Sequence, residues 1–446
     1  MLSIGASGVR AYQTALGVVS DNIANAGTVG YSRRAAQLAE IAPAGAIGLA
    51  ARVGIPGNGV VVQGIERSAD AYKTSAVRIA STDLARSETG IAWMNRVQSV
   101  LTQGLVPARM TSFFAAAQSL AADPTSSSAR AAMLEAGATT AAAFRTTGAA
   151  LDAAAAELDL TAASGVRQLA TLGLAMARIN DGLGRAVPGS TAAAALSDDR
   201  DQLLEQMSTL TDVSVQLDTA GRATVRLGGT TGPVLVTGRE SATVAYSRND
   251  EGEIAFIVRR GTDQNSFSPT GGVLAGLAEG AGRIADARSA LNDVAAGFAA
   301  TVNAVMIAGD DQDGNDGTPM FVVGDPATDM TLGFTDPRLI AAAARDAGPR
   351  DAGNLAALQS ARTQSRVEDA GTAIIAGVAA AIESRNVVAA AQGAIRDAAI
   401  GARDAVTGVN LDAEAVDLIR FQQAYQASSR VIQVARETIQ TLLDIR

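Results

Sequence analysis

The last helical pattern of the chain reads Leu411-Asp-Ala-Glu-Ala-Val-Asp-Leu418-Ile-Arg-Phe-Gln-Gln-Ala-Tyr425, and Ile432 and Ile439 continue its seven-residue repeat. Phe421, Ala435 and Leu442 add to the same side. This spacing places one apolar stripe along a helix and suits a coiled-coil partner. An ordinary amphipathic helix packed on its own core would show the same pattern, so the repeat alone leaves both interpretations open.

The beginning of the chain repeats the pattern. Apolar residues recur every seven positions, and a second row follows each of them three residues later: Leu2, Val9, Leu16 and Ile23, then Gly5, Tyr12, Val19 and Ala26. Because both ends carry the repeat, we predict that two terminal helices of similar length pair with each other.

Composition favours helices over a thick aromatic core. The chain has 446 residues, enough for two or three domains, and 48% of them are hydrophobic but only 3% aromatic. Alanine supplies much of the apolar content, and it combines the best helix propensity with a small buried area. We therefore expect long helices that pack closely through small residues.

Several functional classes are disfavoured by what the sequence contains. A net charge of −9 argues against nucleic-acid binding, which needs a clustered basic face. Cysteine and histidine are both absent, which removes disulfides, thiol nucleophiles, histidine bases and the usual zinc ligands. The first ten residues are mixed in polarity, unlike a secretory signal. Asn, Asp and Arg interrupt the alanine-rich runs, so we predict no membrane span.

The pattern changes twice along the chain. It is helical over 66–205, with a break and helix cap at Asp123-Pro124-Thr-Ser-Ser-Ser128, and alternates as short strands over about 213–258. Helix returns over about 272–307, a loop-rich stretch spans 309–349, and helix continues from 354.

The predicted fold is mainly α with a small inserted β domain, as a multidomain rod with paired, coiled-coil-like terminal helices and a helical-bundle middle domain. The predicted domains are a terminal assembly domain of residues 1–65 with 405–446, a middle domain of 66–205 with 270–404, and an outer β domain of 206–269.

Three clusters resemble chemical sites only superficially. Asp311-Gln-Asp313-Gly-Asn315-Asp-Gly317 begins like a calcium loop, but its sixth position is Asp316 and its twelfth is Val322, so a structural turn is favoured. Asp198-Asp-Arg-Asp201 is interpreted as a solvated acidic helix face. Gly54-Ile-Pro-Gly-Asn-Gly59 lacks the phosphate-loop lysine and is predicted to be a turn before a strand at Val60–Val62. With no catalytic set, metal site or cofactor site assembled, the sequence argues against an enzyme.

The N-terminal region carries a more specific pattern. Ser20-Asp-Asn-Ile-Ala-Asn-Ala-Gly-Thr-Val-Gly-Tyr-Ser-Arg-Arg34 resembles the signature of flagellar rod, hook and hook-associated axial proteins, which has an Asn-Ile-Ala-Asn core, then Thr-x-Gly-Tyr and a basic residue. The matching positions are Asn22, Ile23, Ala24, Asn25, Thr28, Gly30, Tyr31 and Arg33. Val29 departs from the pattern, where proline is common.

The C-terminal region is similar to the same family, and most of all to its hook-associated members. The similarity covers Gly408-Val-Asn-Leu-Asp412, Glu414 and the run from Leu418 to Gln433, in which Phe-Gln-Gln-Ala-Tyr replaces the Gln-Arg-Ala-Tyr more common in rod and hook proteins. The residues assigned here to assembly are Asn410, Leu411, Phe421, Gln422, Gln423, Tyr425, Arg430 and Ile432. Gly57–Arg67 with Asp70 and Tyr72 also resembles these proteins, and Asp199–Leu203 is a weaker match.

The resemblance implies a structural subunit of the bacterial flagellum that joins hook to filament, outside the cell, after type III export without a cleaved signal. It implies terminal helices that are unfolded in the free protein and fold on assembly. The implied partners are copies of itself in a ring or helical assembly, the hook protein, a second hook-associated junction protein and an export chaperone, with no nucleic acid, membrane insertion or cofactor. Family members are often longer, which implies a small or missing outer domain.

Three alternatives remain open from the sequence. A hook or distal-rod protein would share the termini but have a body richer in strands. A metal-dependent hydrolase on an axial scaffold would use Asp311, Asp313 or Asn315. A cytosolic coiled-coil scaffold would have termini that are ordered in the free protein.

Overall fold

The computed structural model of the protein describes residues 1–41, 59–249 and 252–444. Its first half contains α1 (Leu2–Asn25), β1 (Arg34–Glu40), β2 (Val60–Arg67), α2 (Ala71–Gln103), α3 (Val106–Ala122), α4 (Ser127–Arg185) and α5 (Thr191–Leu210). A β region follows, with β3 (Val213–Leu217), β4 (Ala223–Leu227), β5 (Val234–Thr237), β6 (Glu240–Ser241), β7 (Thr243–Arg248), β8 (Ile254–Arg260) and β9 (Asp263–Phe267).

The second half returns to helix. It contains α6 (Gly272–Ala308), the short strands β10 (Gly309–Asp310), β11 (Phe321–Val322), β12 (Thr331–Leu332) and β13 (Ala343–Ala344), and then α7 (Gly353–Ser365), α8 (Val367–Thr407) and α9 (Leu411–Asp444). The fold is mainly α with a small inserted β region, as predicted. The predicted strand at Val60–Val62 lies within β2, whereas the turn over 54–58 lies outside the described residues. The division into three domains stays a prediction.

The two terminal helices pair, and the contact includes Gly5 and Tyr12, which belong to the second of the two predicted rows of α1. Gly5 lies against Ile432, and Asn22 bonds to Glu414, so α1 and α9 run antiparallel. The other sides of α1 pack on β1 and β2. Small residues make much of the buried face of α1, while Leu2 and Ile23 remain 39% and 37% exposed. The predicted row headed by Gly5 therefore contributes to the pairing face, because glycine allows the closer approach of two backbones.

The helical bundle also packs through small residues, as composition predicts. A Cβ atom on Gly276 would lie 2.7 Å from the carbonyl oxygen of Arg86, and one on Gly280 would lie 2.7 Å from the Cβ of Trp93. These glycines allow α6 to lie close to α2. The predicted cap is confirmed, because the Ser126 hydroxyl accepts a hydrogen bond from the Ala129 amide at 3.3 Å at the start of α4.

Aromatic residues are few but concentrated in one place. Five of the nine phenylalanines meet in the bundle, with ring centroids between 5.2 and 6.0 Å apart: Phe113, Phe114, Phe144, Phe298 and Phe321. Four of the six pairs are edge-to-face, an arrangement that aromatic quadrupoles prefer, and the other two are tilted. The bundle thus has a local aromatic centre that the low overall aromatic content did not indicate.

The β region docks on α4 through buried polar groups. Strands β3–β6 form one antiparallel sheet and β7–β9 another. Asn180 of α4 is fully buried; its side chain donates to the carbonyls of Ala223 and Gly238 and accepts from the Ala223 amide. In the second sheet, the Tyr246 hydroxyl and the Arg248 guanidinium both donate to Asp159 of α4. Each sheet is therefore tied to the same long helix.

Tyr246 provides a pH-dependent measure of this docking. Burial, and next its hydrogen bond to Asp159, raise the pKa of Tyr246 to about 12, against an ordinary value of 10.0. Since the folded state binds the phenolic proton more tightly than the unfolded state, the contribution to stability is complete below pH 10 and is lost as the pH rises towards 12. Spectrophotometric titration of the five tyrosines should show one ionisation near pH 12, and Tyr246→Phe should remove it. A titration unchanged by this substitution would contradict the assignment.

The segment Asp311–Gly317 forms a turn. The Asp311 Oδ1 atom accepts hydrogen bonds from the Asp313 and Asn315 amides at 2.8 and 2.9 Å. Burial opposes ionisation of Asp311, but these amides and the Asn315 side chain outweigh it and hold the pKa of Asp311 below its usual value. Asp313 and Asp316 pair with Arg338 and Arg345. These contacts support the structural interpretation of the cluster.

The prediction that no stretch is apolar enough to cross a membrane is wrong by length and composition. Two helical runs, Gly272–Ala308 and Gly353–Asp444, contain an 18-residue window that meets such a test. In the first, many residues belong to the bundle core. The second lies mostly at the surface. Alanine and glycine raise the apolar character of both without large side chains.

Candidate assembly site

The signature that follows α1 folds into a compact turn. The Asn25 carbonyl accepts the Thr28 amide at 2.9 Å, and the Asn25 side-chain oxygen accepts the Thr28 hydroxyl at 3.3 Å. Gly30 adopts φ = +83°, a left-handed conformation that glycine reaches without strain. The Tyr31 amide then donates to the Thr28 carbonyl at 3.2 Å. These residues reverse the chain and direct it into β1.

Asn22 lies at the centre of this region and is fully buried. Its amide nitrogen donates to the Arg34 carbonyl at 2.8 Å and to Glu414 Oε2 at 3.0 Å. Its oxygen accepts from the Tyr31 hydroxyl at 2.8 Å and from the Arg34 amide at 3.0 Å. With every hydrogen-bonding group in use, one side chain joins α1, the signature turn, β1 and α9.

Glu414 brings the two ends of the chain together through charge. Its side chain is fully buried in the first turn of α9, and Arg33 Nε donates to Glu414 Oε1 at 2.6 Å. Arg33 also reaches Asp417 at 3.4 Å. A buried carboxylate needs a paired cation and further hydrogen bonds to offset its lost hydration, and Arg33 and Asn22 supply both.

The acidic cluster of α5 is not the solvated face that the sequence suggested. Asp198 is 8% exposed and Arg200 is 6% exposed, and only Asp199 of the four residues is fully at the surface. Asp198 pairs with Arg34 at 2.8 Å and with Arg67 at 3.4 Å, while Asp201 pairs with Arg67 and Arg200. The prediction was wrong because the partners lie far away in sequence and turn the acids into a buried ionic contact.

The predicted assembly residues in and around α9 differ in how far they are buried. Phe421, Tyr425 and Ile432 are half-buried, with Phe421 6.3 Å from Tyr12 of α1 between ring centroids. Asn410 precedes the helix and accepts the Asp412 and Ala413 amides at 3.0 and 3.1 Å, which caps α9. The remaining predicted residues are exposed in the single chain: Ile23 of α1, and Leu411, Gln422, Gln423 and Arg430 of α9.

Sequence reasoning missed the buried charges at the joint. Arg34, Arg67, Asp198 and Glu414 were not assigned as site residues, although Glu414 stands within the C-terminal match and Arg34 follows Arg33 directly.

Burial raises the pKa of the Tyr31 hydroxyl, while the Arg34 guanidinium, 4.7 Å from the Tyr31 ring, opposes that rise. A cleft of about 420 Å³ lies between the signature turn, α5 and the end of α8.

The ion pairs and hydrogen bonds of this site join distant segments of the chain. Its carboxylates are paired with arginines, and among residues 1–41, 59–249 and 252–444 no group of three or more acidic side chains is placed to bind a metal ion. The paired helices in turn expose a series of large apolar residues: Leu2, Ile4, Ile23, Leu411, Val416, Ile419, Val431, Val434, Ile439, Leu442 and Leu443. Such an exposed series is typical of a surface that another protein covers.

Comparison with known protein families gives three matches. The family described as the flagellar hook-associated protein FlgK helical domain matches residues 94–321. The flagellar basal body rod FlgEFG protein C-terminal family matches residues 405–445, and the flagella basal body rod protein family matches residues 2–31. The two terminal matches contain α9 and α1, the pair described above.

Curated flagellar proteins are similar in sequence to most or nearly all of this chain. The flagellar hook-associated protein 1 of Escherichia coli is 23% identical over 99% of this chain and 98% of its own length. That of Bacillus subtilis is 24% identical over 98% of this chain and 96% of its own length. That of Salmonella typhimurium is 28% identical over 72% of this chain, and the match spans only 59% of that protein.

A solved structure shares the fold. The flagellar hook junction protein FlgK from Burkholderia pseudomallei matches with a TM-score of 0.50 and 22% identity, covering 56% of this chain and 46% of that one. The FlgK family consists of structural flagellar proteins and not of enzymes. Since its helical-domain pattern covers about half of the sequence, including most of the bundle, the chain belongs to the flagellar hook-associated protein FlgK family.

Proposed function

We propose that the protein is a junction subunit that joins the flagellar hook to the filament outside the cell. The observation that carries this proposal is the pair α1–α9, which is closed on one side by the Asn22–Glu414 contact and leaves apolar side chains exposed on the other. A monomer has no internal use for such a surface. The family match over 94–321 favours a hook-associated role over the hook or distal-rod alternative.

The proposed first partner is a second copy of the chain. Gly5 packs on Ile432 and α1 begins at Leu2, so the last turns of α9 extend beyond the start of α1. Those turns carry Ile439, Leu442 and Leu443, which are 45%, 66% and 63% exposed. A head-to-tail contact through this overhang would produce a ring or helical tube instead of a closed dimer. The terminal pair would reach its full order in that assembly, where neighbouring copies cover the apolar rows.

The other proposed partners follow from the position in the flagellum. The hook protein would contact the ring from one side and a second hook-associated junction protein from the other, and an export chaperone would cover the apolar termini before assembly. Export through the flagellar type III apparatus without a cleaved signal is part of the same proposal. The signature residues Asn22, Tyr31 and Arg33 would hold the terminal helices in the geometry that assembly requires, since they tie α1 to α9.

Deletion of the gene tests the junction role. We expect electron microscopy to show hooks without filaments, and an assay of the culture medium to show flagellin lost from the cells. Absent hooks would contradict the junction role and assign the protein to the rod or the hook. Normal flagella in a strain with no paralogue would contradict the proposal altogether.

A matched pair of substitutions tests self-assembly. Val434 and Gln433 are neighbours on α9 and both are exposed, so neither should alter the fold of the single chain. Val434→Glu should abolish complementation of the deletion strain, because it places a charge in the apolar row. Gln433→Glu adds the same charge on another side and should complement. Equal complementation by both would count against assembly through this row.

A further inference from the structure

The two strands that brace α1 carry an unusual pair of like charges. We call β1 and β2 the β-arm. In its antiparallel register Arg34 lies directly opposite Arg67, so both side chains are on the same face. Like charges directly opposite each other destabilise a strand pair. The cost is greater here because the two side chains are only 10% and 13% exposed.

Helix α5 supplies the compensating charges. Asp198 lies between the two arginines, with Oδ2 2.8 Å from Arg34 Nη2 and Oδ1 3.4 Å from Arg67 Nη1. Asp201, one helical turn later, pairs with Arg67 and is itself held by Arg200 at 2.7 Å. The two guanidinium groups of the β-arm therefore find their opposite charges on α5, where Asp201 is shared between Arg67 and Arg200.

Backbone contacts also join the β-arm to the region around α5. The Ile65 amide of β2 donates to the Gly189 carbonyl, in the loop before α5, at 2.7 Å. Gly189 and Gly64 are in close contact, because a Cβ atom on Gly189 would lie 3.2 Å from the Cα of Gly64. The β-arm is thus seated on both the loop and the middle of α5.

We infer that Asp198 and Asp201 form a docking socket, and that the β-arm closes with its arginines opposed only when it is seated in that socket. The order of the terminal unit then depends on a folded middle region. The dependence reaches further, because Asn22 bonds to the backbone of Arg34 and to Glu414. Loss of the socket would loosen the β-arm first and the pairing of α1 with α9 next. This coupling goes beyond the proposed junction role and can be measured in the purified, unassembled chain.

The test compares amide hydrogen exchange between variants of two neighbouring acidic residues. Asp198 is buried in the socket, whereas Asp199 is exposed, so Asp198→Asn and Asp199→Asn make the same chemical change in different environments. We expect Asp198→Asn to speed amide exchange in residues 60–67 by at least about tenfold and to leave α4 and α6 unchanged. Asp199→Asn should change neither. Equal exchange in the two variants, or β-arm amides already unprotected in the unmodified chain, would overturn the inference.

An arginine-free β-arm separates neutralisation from a general loss of folding. In the Arg34→Met/Arg67→Met background there is no like-charge pair, and Asp198 becomes the unpaired buried charge. Adding Asp198→Asn there should leave exchange over 60–67 unchanged or slow it, which reverses the sign of its effect in the unmodified chain. An acceleration of the same size in both backgrounds would show that Asp198 acts independently of the arginines and would overturn the inference.

Discussion

Replacing Glu414 with glutamine is expected to weaken the joint between α1 and α9 by about 3 kcal/mol, the lower end of the cost of breaking a buried ion pair. The carboxylate is fully buried and accepts from Arg33 and Asn22, so glutamine presents its amide hydrogens to donors. The lower end applies because Arg33 is 30% exposed and keeps Asp417 as a second partner. In the assembled protein, where the terminal pair is ordered, amide exchange in α1 and over 411–418 should accelerate by about a hundredfold.

Asp412→Asn is the matched control. Asp412 is also an acid in the first turn of α9, but its side chain is exposed. Removing its charge costs only its interaction with the helix dipole, about 0.3–1 kcal/mol. If Asp412→Asn and Glu414→Gln accelerated exchange equally, the effect of Glu414 would be that of any N-terminal acid, and the buried contact would have no special role.

The pairing of the terminal helices could be predicted because a seven-residue repeat is a local property of the sequence. Which of the two predicted rows makes the closest contact could not be predicted, because the repeat does not distinguish residues that face α9 from those left for another partner. Gly5 and Gly8 decide the contact by letting Ser428 and Ile432 approach the backbone of α1. The periodicity places Gly5 in the same stripe as Leu2 and Ile23, but it does not show that the glycine makes the closest contact.

The buried charges of the joint lay beyond sequence reasoning for a different reason. Arg34 and Asp198 are separated by 164 positions, and Asn22 and Glu414 by 392. A run of acids is usually a solvated face, and only the fold brings a second set of charges to it. The same holds for the aromatic centre, since Phe113, Phe144 and Phe298 come from three helices that the sequence separates widely. What could be carried over was the signature itself, whose Asn22, Tyr31 and Arg33 meet at one place.

Gly5→Val is expected to separate α1 from α9 near Ile432. A Cβ atom at Gly5 would lie 2.6 Å from the Ile432 side chain and 3.2 and 3.3 Å from backbone atoms of Ser428 and Ile432. The side chain can move, but the two backbone contacts cannot be relieved unless the helices shift apart. Overpacking of this kind costs about 1–3 kcal/mol, which corresponds to a loss of amide protection of about fivefold to about 150-fold in both helices. In the deletion strain, the variant should give much smaller swimming rings on soft agar than the unmodified gene.

Gly17→Val provides the control because it makes the same change in the same helix. Gly17 is exposed, and nothing lies within 4 Å of a Cβ placed there. Valine has a slightly better helix propensity than glycine, so exchange in α1 should stay the same or slow a little. Full swimming with Gly17→Val and weak swimming with Gly5→Val would locate the requirement at the contact with α9. Equal loss in both would instead mean that α1 tolerates no added side chain on any face, and that close pairing through glycine is not what assembly requires.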